Sequence, residues 1–439
     1  MVIEVKREAL QELAQWAQAA SHKPLVVYGA RQVGKTYLLK EWGKRHFKNV
    51  AYLSFMGNRA AEHLFEADFD LKRIISDLQV LCNTRIIPGE TLVILDEIQE
   101  AKNALSALKY FCEEAPDLHV VAAGSYLGIA LHRGESFPVG KVDSITLHPM
   151  NYTEFLDAAG EEELADRVRA LDFASMARFR DKLERRLRQY FFVGGMPEAV
   201  AHFFSGGEDY RQARSVQQKL LSDYDKDFSK HPEQREIERV RLAFNSIPVH
   251  LGAENHKLVF GHIKPGSRAK DFETAIQWIV DTGLATRVYR VDKPGMPLSF
   301  YRDLSAFKLY LLDIGLLGAL MHITPDSVLF SDNALTEYKG AMTEQYVCQQ
   351  LVAQGCEPFY WSRKNSSGEI DFLVHKCSAA VPLEVKAEEN VKARSLKLLC
   401  ETYNLHGVRT SMKDYCEQTW MTNVPLWAVG DYFAQGQQW

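Results

Sequence analysis

The run GARQVGKT, residues 29 to 36, sets two glycines ahead of a lysine and a threonine in the spacing G-x-x-x-x-G-K-[ST]. An apolar stretch, LVVY, precedes it and a helical pattern follows, which is the setting such a loop needs. Glycine lets successive backbone N–H groups turn inward at a helix N-terminus, where the positive end of the helix dipole favours phosphate. On this reading Gly29, Ala30, Arg31, Gln32, Val33, Gly34, Lys35 and Thr36 form a nucleotide-binding loop, a Walker A sequence. Lys35 reaches the β and γ phosphate oxygens, and the Thr36 hydroxyl is a ligand of Mg²⁺. The expected cofactors are ATP and Mg²⁺.

A second stretch, TLVILDEIQ, ends an apolar run in Asp96 and Glu97. Acids at the end of a buried strand are costly unless they are paired or used. As a Walker B sequence, Asp96 holds Mg²⁺ through water and Glu97 polarises the water that attacks the γ-phosphate. A small-molecule kinase needs no second acid on water, so Glu97 points to hydrolysis. Ser125, closing LHVVAAGSY, is placed to sense the γ-phosphate, and Arg133, in LHRGESFPVGK, to neutralise transition-state charge from its own or a neighbouring subunit. A lone serine or arginine at such a position is equally plain surface.

The third stretch is GEIDFLVHKCSAAVPLEVKA, residues 368 to 387. Its Glu-Val-Lys tripeptide also occurs at Glu4 to Lys6, where nothing suggests chemistry, so the tripeptide alone proves little. Alternate residues of a strand share a face, so Glu384 and Lys386 project together, and a hairpin with an even loop brings Asp371 to the same side. Asp371 and Glu384 then make a Mg²⁺ site, Glu344 on the preceding helix completes the metal shell through water, and Lys386 orients the attacking water. The same charges also make an ordinary salt-bridge ladder. Both readings stand at this point.

Residues 24 to 147 alternate β-rich runs with helical patterns, the mark of a parallel sheet covered by helices. Residues 151 to 232 read as helical and basic, interrupted by VGGMPEA. From 235, three helical stretches precede GLATRVYRVDKPGMPLSFYRD, a strand, turn and strand, which suggests a winged helix-turn-helix. Its third helix begins with Arg268 and Lys270, suited to DNA, but Asp271, Glu273 and Asp281 share that helix. The tail from 335 gives a helix, a hairpin, a helix and a last strand.

In combination, GARQVGKT, LVILDEIQ, AAGSYLG, SFPVGK, GGMPEA, GEIDFLV and LEVKA resemble a prokaryotic family of AAA-type ATPases with a C-terminal domain of unknown function. The resemblance covers nearly the whole chain. It implies a multidomain α/β protein: a P-loop AAA-type ATPase core at 1–150, a helical lid at 151–232, a winged helix at 233–330 and a PD-(D/E)XK nuclease-like α/β domain at 331–439. The function implied is ATP hydrolysis by a protein acting on DNA or RNA. The alternative is a nucleotide-dependent switch that binds a protein partner through a catalytically inactive nuclease-like module. AAA-type sites commonly form between subunits, so a homo-oligomer fits the same resemblance.

Hydrophobic residues at 46% and charged residues at 25% of 439 are ordinary for globular domains and exclude collagen, coiled coil and disorder. The net charge of -5 gives no global pull toward phosphate, so nucleic-acid contact would need local patches. The seven cysteines form no CxxC pair, and His46, His63, His119, His132 and His148 lack ligand spacing, which argues against disulfides and zinc. The N-terminal twenty residues read as a charged amphipathic helix, and no apolar run approaches the roughly 20 residues that span a bilayer. A cytoplasmic location without a membrane partner is expected.

Overall fold

The computed structural model describes residues 6–124, 137–229, 234–253, 258–264, 266–326, 336–363, 368–387 and 393–435. They group into two compact units, one of residues 6–148 with 281–283, the other of the remaining chain from Pro149 onward.

In the first unit, strands Leu25–Tyr28 (β1), Asn49–Ser54 (β2), Thr91–Asp96 (β3), His119–Ala123 (β4) and Asp143–Thr146 (β5) form a sheet in the order β2-β3-β4-β1-β5, parallel throughout. This is the architecture that the alternating runs predict. All six residues of β3 are buried, because helices cover both faces of a parallel sheet. Val26, Leu53, Ile74, Leu95, Phe111 and Val120 belong to its core. The phosphate loop and the paired acids leave β1 and β3, two parallel strands with only β4 between them, at the same edge of the sheet.

The second unit opens with helices. Tyr152–Ala158 starts with a capping box, Asn151 accepting from the Glu154 amide while Glu154 accepts from the Asn151 amide. The VGGMPEA interruption has a steric cause. A Cβ on Gly195 would lie 2.1 Å from the Met150 carbonyl oxygen, and one on Gly194 would lie 2.2 Å from Asp313 Oδ1. The Gly195 amide donates to Asp313 Oδ2 at 2.6 Å.

Helices Gln234–Leu251, Phe260–Ile263 and Ala269–Asp281 then precede the hairpin Ala285–Val291 (β6) and Arg302–Leu311 (β7), the element order read from the sequence. With Phe359–Ser362 (β8), Glu369–Lys376 (β9), Ala379–Val385 (β10), Gly407–Ser411 (β11), Cys416–Glu417 (β12) and Met421–Pro425 (β13), this hairpin completes a mixed eight-stranded sheet in the order β12-β13-β11-β10-β9-β8-β6-β7. The join is the parallel pairing of β6 with β8, Arg290 opposite Tyr360 and Val291 opposite Trp361. Segments 233–330 and 331–439 therefore share one sheet.

A row of glutamines on the helix Thr336–Ala353 ties this unit together. Gln345 accepts from the Leu311 amide and donates to its carbonyl, in the manner of a neighbouring strand. Gln349 accepts from the Ile314 amide and donates to Tyr190 Oη and Asp313 Oδ2, each at 3.0 Å. Gln350 accepts from the Tyr152 amide and also donates to Tyr190 Oη. Among the described residues no helix is long and apolar enough to cross a membrane, and the seven cysteines are free thiols.

Replacing Gln349 with leucine strands the Ile314 amide and removes one of the two donors to the buried Asp313 Oδ2, leaving the Gly195 amide as the other. A loss of about 2 to 4 kcal/mol is expected, read as a lower urea midpoint of the full chain. A midpoint equal to wild type contradicts the assignment.

Candidate nucleotide site and C-terminal carboxylate cluster

Between β1 and the helix Lys35–His46 the chain makes a tight loop. Gly29 has φ +144°, and a Cβ there would stand 2.3 Å from the Leu147 carbonyl oxygen. Gln32 and Gly34 also have positive φ, 66° and 95°, which turns the backbone so that consecutive N–H groups can face one anion. The buried Lys35 donates Nζ to the carbonyls of Gly29 at 2.8 Å and Ala30 at 2.7 Å. Desolvation pulls its pKa down to about 8, against the favourable charges of Glu97 and Asp96. A lysine in that state gains from an incoming phosphate, whose charge restores the ammonium. The buried Arg7 braces the loop, donating to the carbonyls of Val33 and His148. No sequence pattern marks Arg7.

Asp96, 4% exposed, has its carboxylate satisfied on both oxygens. Thr36 Oγ1 and Tyr52 Oη donate to Oδ2 at 2.8 and 2.9 Å, and the Glu97 amide donates to Oδ1 at 3.1 Å. A hydroxyl beside a carboxylate is a hard oxygen donor set that fits Mg²⁺. The chemistry Mg²⁺ would supply there is positive charge against the negative charge of the phosphates. Thr36 and Asp96 would hold the ion. Glu97 follows with φ 53°, a left-handed conformation that costs on the order of 1 kcal/mol for such a residue and collects at functional sites. Gln99 donates to Glu97 Oε2 at 2.6 Å. Ser125 and Arg133 lie outside the described residues.

Tyr52 is the residue that sequence reading missed. It sits on β2, next to β3, and its pKa is pushed up to about 12 by burial and then by Asp96. Lys40 Nζ lies 3.3 Å from its ring centroid. A strand tyrosine reads as packing, and only the pairing of β2 with β3 brings it to the acid.

In the second unit the β9–β10 hairpin turns through Cys377 and Ser378, both with positive φ, so its loop is even. The ladder ends with Phe372 paired to Leu383, and Asp371 and Glu384 are the residues next to that pair on their strands. Asp371 Oδ2 accepts from the Val385 amide at 2.7 Å, and Lys386 Nζ is 3.0 Å from Glu384 Oε1. Glu344 meets different partners: Tyr310 Oη donates to its Oε2 at 3.0 Å, and Lys308 Nζ lies 3.6 Å from the same oxygen. Lys308 also pairs with Glu369 at 2.7 Å. Burial, then the charge of Glu344, raises the Asp371 pKa. Burial opposes the charge of Lys308, but Glu344, Glu369 and Asp371 outweigh it and leave its pKa above the ordinary lysine value. Among the described residues no group of three or more His, Cys, Asp or Glu is disposed to hold a metal ion. The carboxylates here are interleaved with two ammoniums, Lys308 and Lys386.

Residues 21–156 match the family model of an AAA domain. Residues 184–327 and 339–429 match two domains of unknown function, DUF8612 and DUF4143. No curated protein matches the chain. Among solved structures, the chain is similar to the Walker-type ATPase PABY2304 of Pyrococcus abyssi, at 14% identity and TM-score 0.47 over 72% of this chain and 96% of that one. It is also similar to the Aeropyrum pernix ORC1 protein in complex with DNA, at 12% identity and TM-score 0.30 over 74% and 94%. The Thermotoga maritima RuvB Holliday junction branch migration motor is similar at 12% identity and TM-score 0.30 over 65% and 90%. The AAA-domain match, the parallel sheet and the phosphate loop together give the first unit a P-loop, AAA-type ATPase-like core.

If Tyr52 holds the Asp96 carboxylate in place, Tyr52→Phe should raise the Mg²⁺ concentration for half-maximal ATP binding by roughly three- to tenfold, on the order of 1 kcal/mol. Nucleotide affinity in EDTA should stay unchanged. Equal Mg²⁺ dependence in mutant and wild type would remove Tyr52 from the site.

Proposed function

We propose that the protein binds ATP with Mg²⁺ and hydrolyses it. The observation that carries this is the 2.8 Å bond from Thr36 to Asp96, which sets the phosphate loop against the acidic strand end in the arrangement a Mg²⁺-nucleotide needs. In this reading the backbone of Gly29 to Thr36 and the Lys35 ammonium cradle the phosphates, Thr36 and Asp96 carry Mg²⁺, and Glu97 orients the attacking water. Ser125 and Arg133 keep the roles of γ-phosphate sensor and transition-state cation.

The cycle serves a macromolecular target. One reading is action on DNA or RNA through the 233–330 segment as a winged helix and the tail as a nuclease-like domain, with Asp371, Glu384 and Glu344 on metal and Lys386 on water. The other is a nucleotide-dependent switch docking a protein partner, its nuclease-like module inactive. The partners of Glu344 support the second: Tyr310 and Lys308 already engage it, on a helix whose glutamines are spent on the hairpin and its neighbours.

Glu97→Gln should bind ATP as tightly as wild type but turn it over at least about a hundredfold more slowly; normal turnover would take Glu97 out of its role. Stimulation of hydrolysis by polynucleotide, fading as salt rises, would favour the nucleic-acid reading, and no stimulation the docking one.

A further inference from the structure

Lys308 is wholly buried, on a strand that comes from the hairpin rather than from the tail. Its side chain passes over β8, with Nζ 5.0 Å from the Tyr360 ring centroid, and meets Glu369 at the start of β9. From there it faces Glu344, which also takes a hydrogen bond from Tyr310, two residues along the same strand and on the same face. Four acids, Glu344, Glu369, Asp371 and Glu384, thus share two ammoniums, Lys308 and Lys386. Carboxylates gathered out of water need a cation, because their mutual repulsion is poorly screened there. A divalent metal is one way to supply it. A lysine fixed on a neighbouring strand is another.

We propose that Lys308 is the resident cation of this cluster, filling the electrostatic role of a divalent metal and welding β7 to β9 and to the helix Thr336–Ala353. The C-terminal sheet then assembles without metal and takes up none at Asp371 and Glu384. Glu344 belongs to the weld. This inference does not depend on hydrolysis of ATP, since its readouts are metal binding and the pH dependence of stability.

The test uses the full chain carrying Thr36→Ala and Asp96→Ala, which removes the metal ligands of the nucleotide site, titrated with Mn²⁺ in the absence of nucleotide. With Lys308 present, calorimetry and Mn²⁺ electron paramagnetic resonance should show no saturable uptake and no shift in melting temperature. Uptake that disappears with Asp371→Asn would overturn the proposal. Lys308→Met in the same background should either gain a saturable Mn²⁺ site that Asp371→Asn abolishes, or lose stability in a pH-dependent way. The sign follows from linkage. Without the ammonium, the acids have folded-state pKa values above their unfolded ones, so stability is present at low pH and lost as pH rises through those raised values. A Lys308→Met chain that is as stable as its parent and takes up no Mn²⁺, or one weakened equally at every pH, would overturn the proposal as well. Lys308→Arg keeps the charge and should stay metal-free with little change in that pH profile.

Discussion

Asp96 holds a carboxylate at the end of a strand with no exposed residue, and the nucleotide site is organised around keeping that charge satisfied. A buried carboxylate left without partners is costly, and without it the site would lose its hold on a cation. Three donors prevent this, and each comes from a different place. Thr36 belongs to the first turn of the helix after the loop, Tyr52 to the adjacent strand, and the Glu97 amide to the turn that follows. The loop, β2 and β3 are thereby locked to one another. Arg7 adds a clamp on the loop.

The second unit solves a different problem with the same physics. Its polar groups are buried at the contacts between helices and sheet, and the amide side chains of Gln345, Gln349 and Gln350 satisfy them pairwise, each as donor and acceptor. Asp313 gathers donors from Gly195, Leu316 and Gln349, although burial still raises its pKa. Lys308 extends the seam into charged territory. A network of this kind specifies one arrangement of its elements more than it adds net stability, because every member left unpaired is costly.

The parts legible in the sequence are those whose signal is local. GARQVGKT, with its apolar strand and following helix, and the acidic end of TLVILDEIQ can be read within a short window, and so can the hairpin that carries Asp371 and Glu384, although its even loop is settled only by the pairing of Lys376 with Ala379. What escaped depends on pairings between distant segments. Tyr52 matters only because β2 lies beside β3, and Lys308 only because β6 pairs in parallel with β8 more than sixty residues away. The row of glutamines has no signature in the sequence, since periodicity reveals which side is apolar and not which polar side is buried. Glu344, Asp371 and Glu384 stand out in the sequence, but Glu369 does not, and the lysine among them lies in another segment. Spacing can gather acids on a face, but it does not reveal the cation that accompanies them.

The most direct measurement is phosphate release from ATP by the purified full chain, with Mg²⁺ and then with EDTA, beside Lys35→Ala. The account predicts turnover that requires Mg²⁺ and is lost with Lys35→Ala, together with nucleotide binding. Hydrolysis unchanged in Lys35→Ala, or a wild-type chain that binds no ATP, would contradict it.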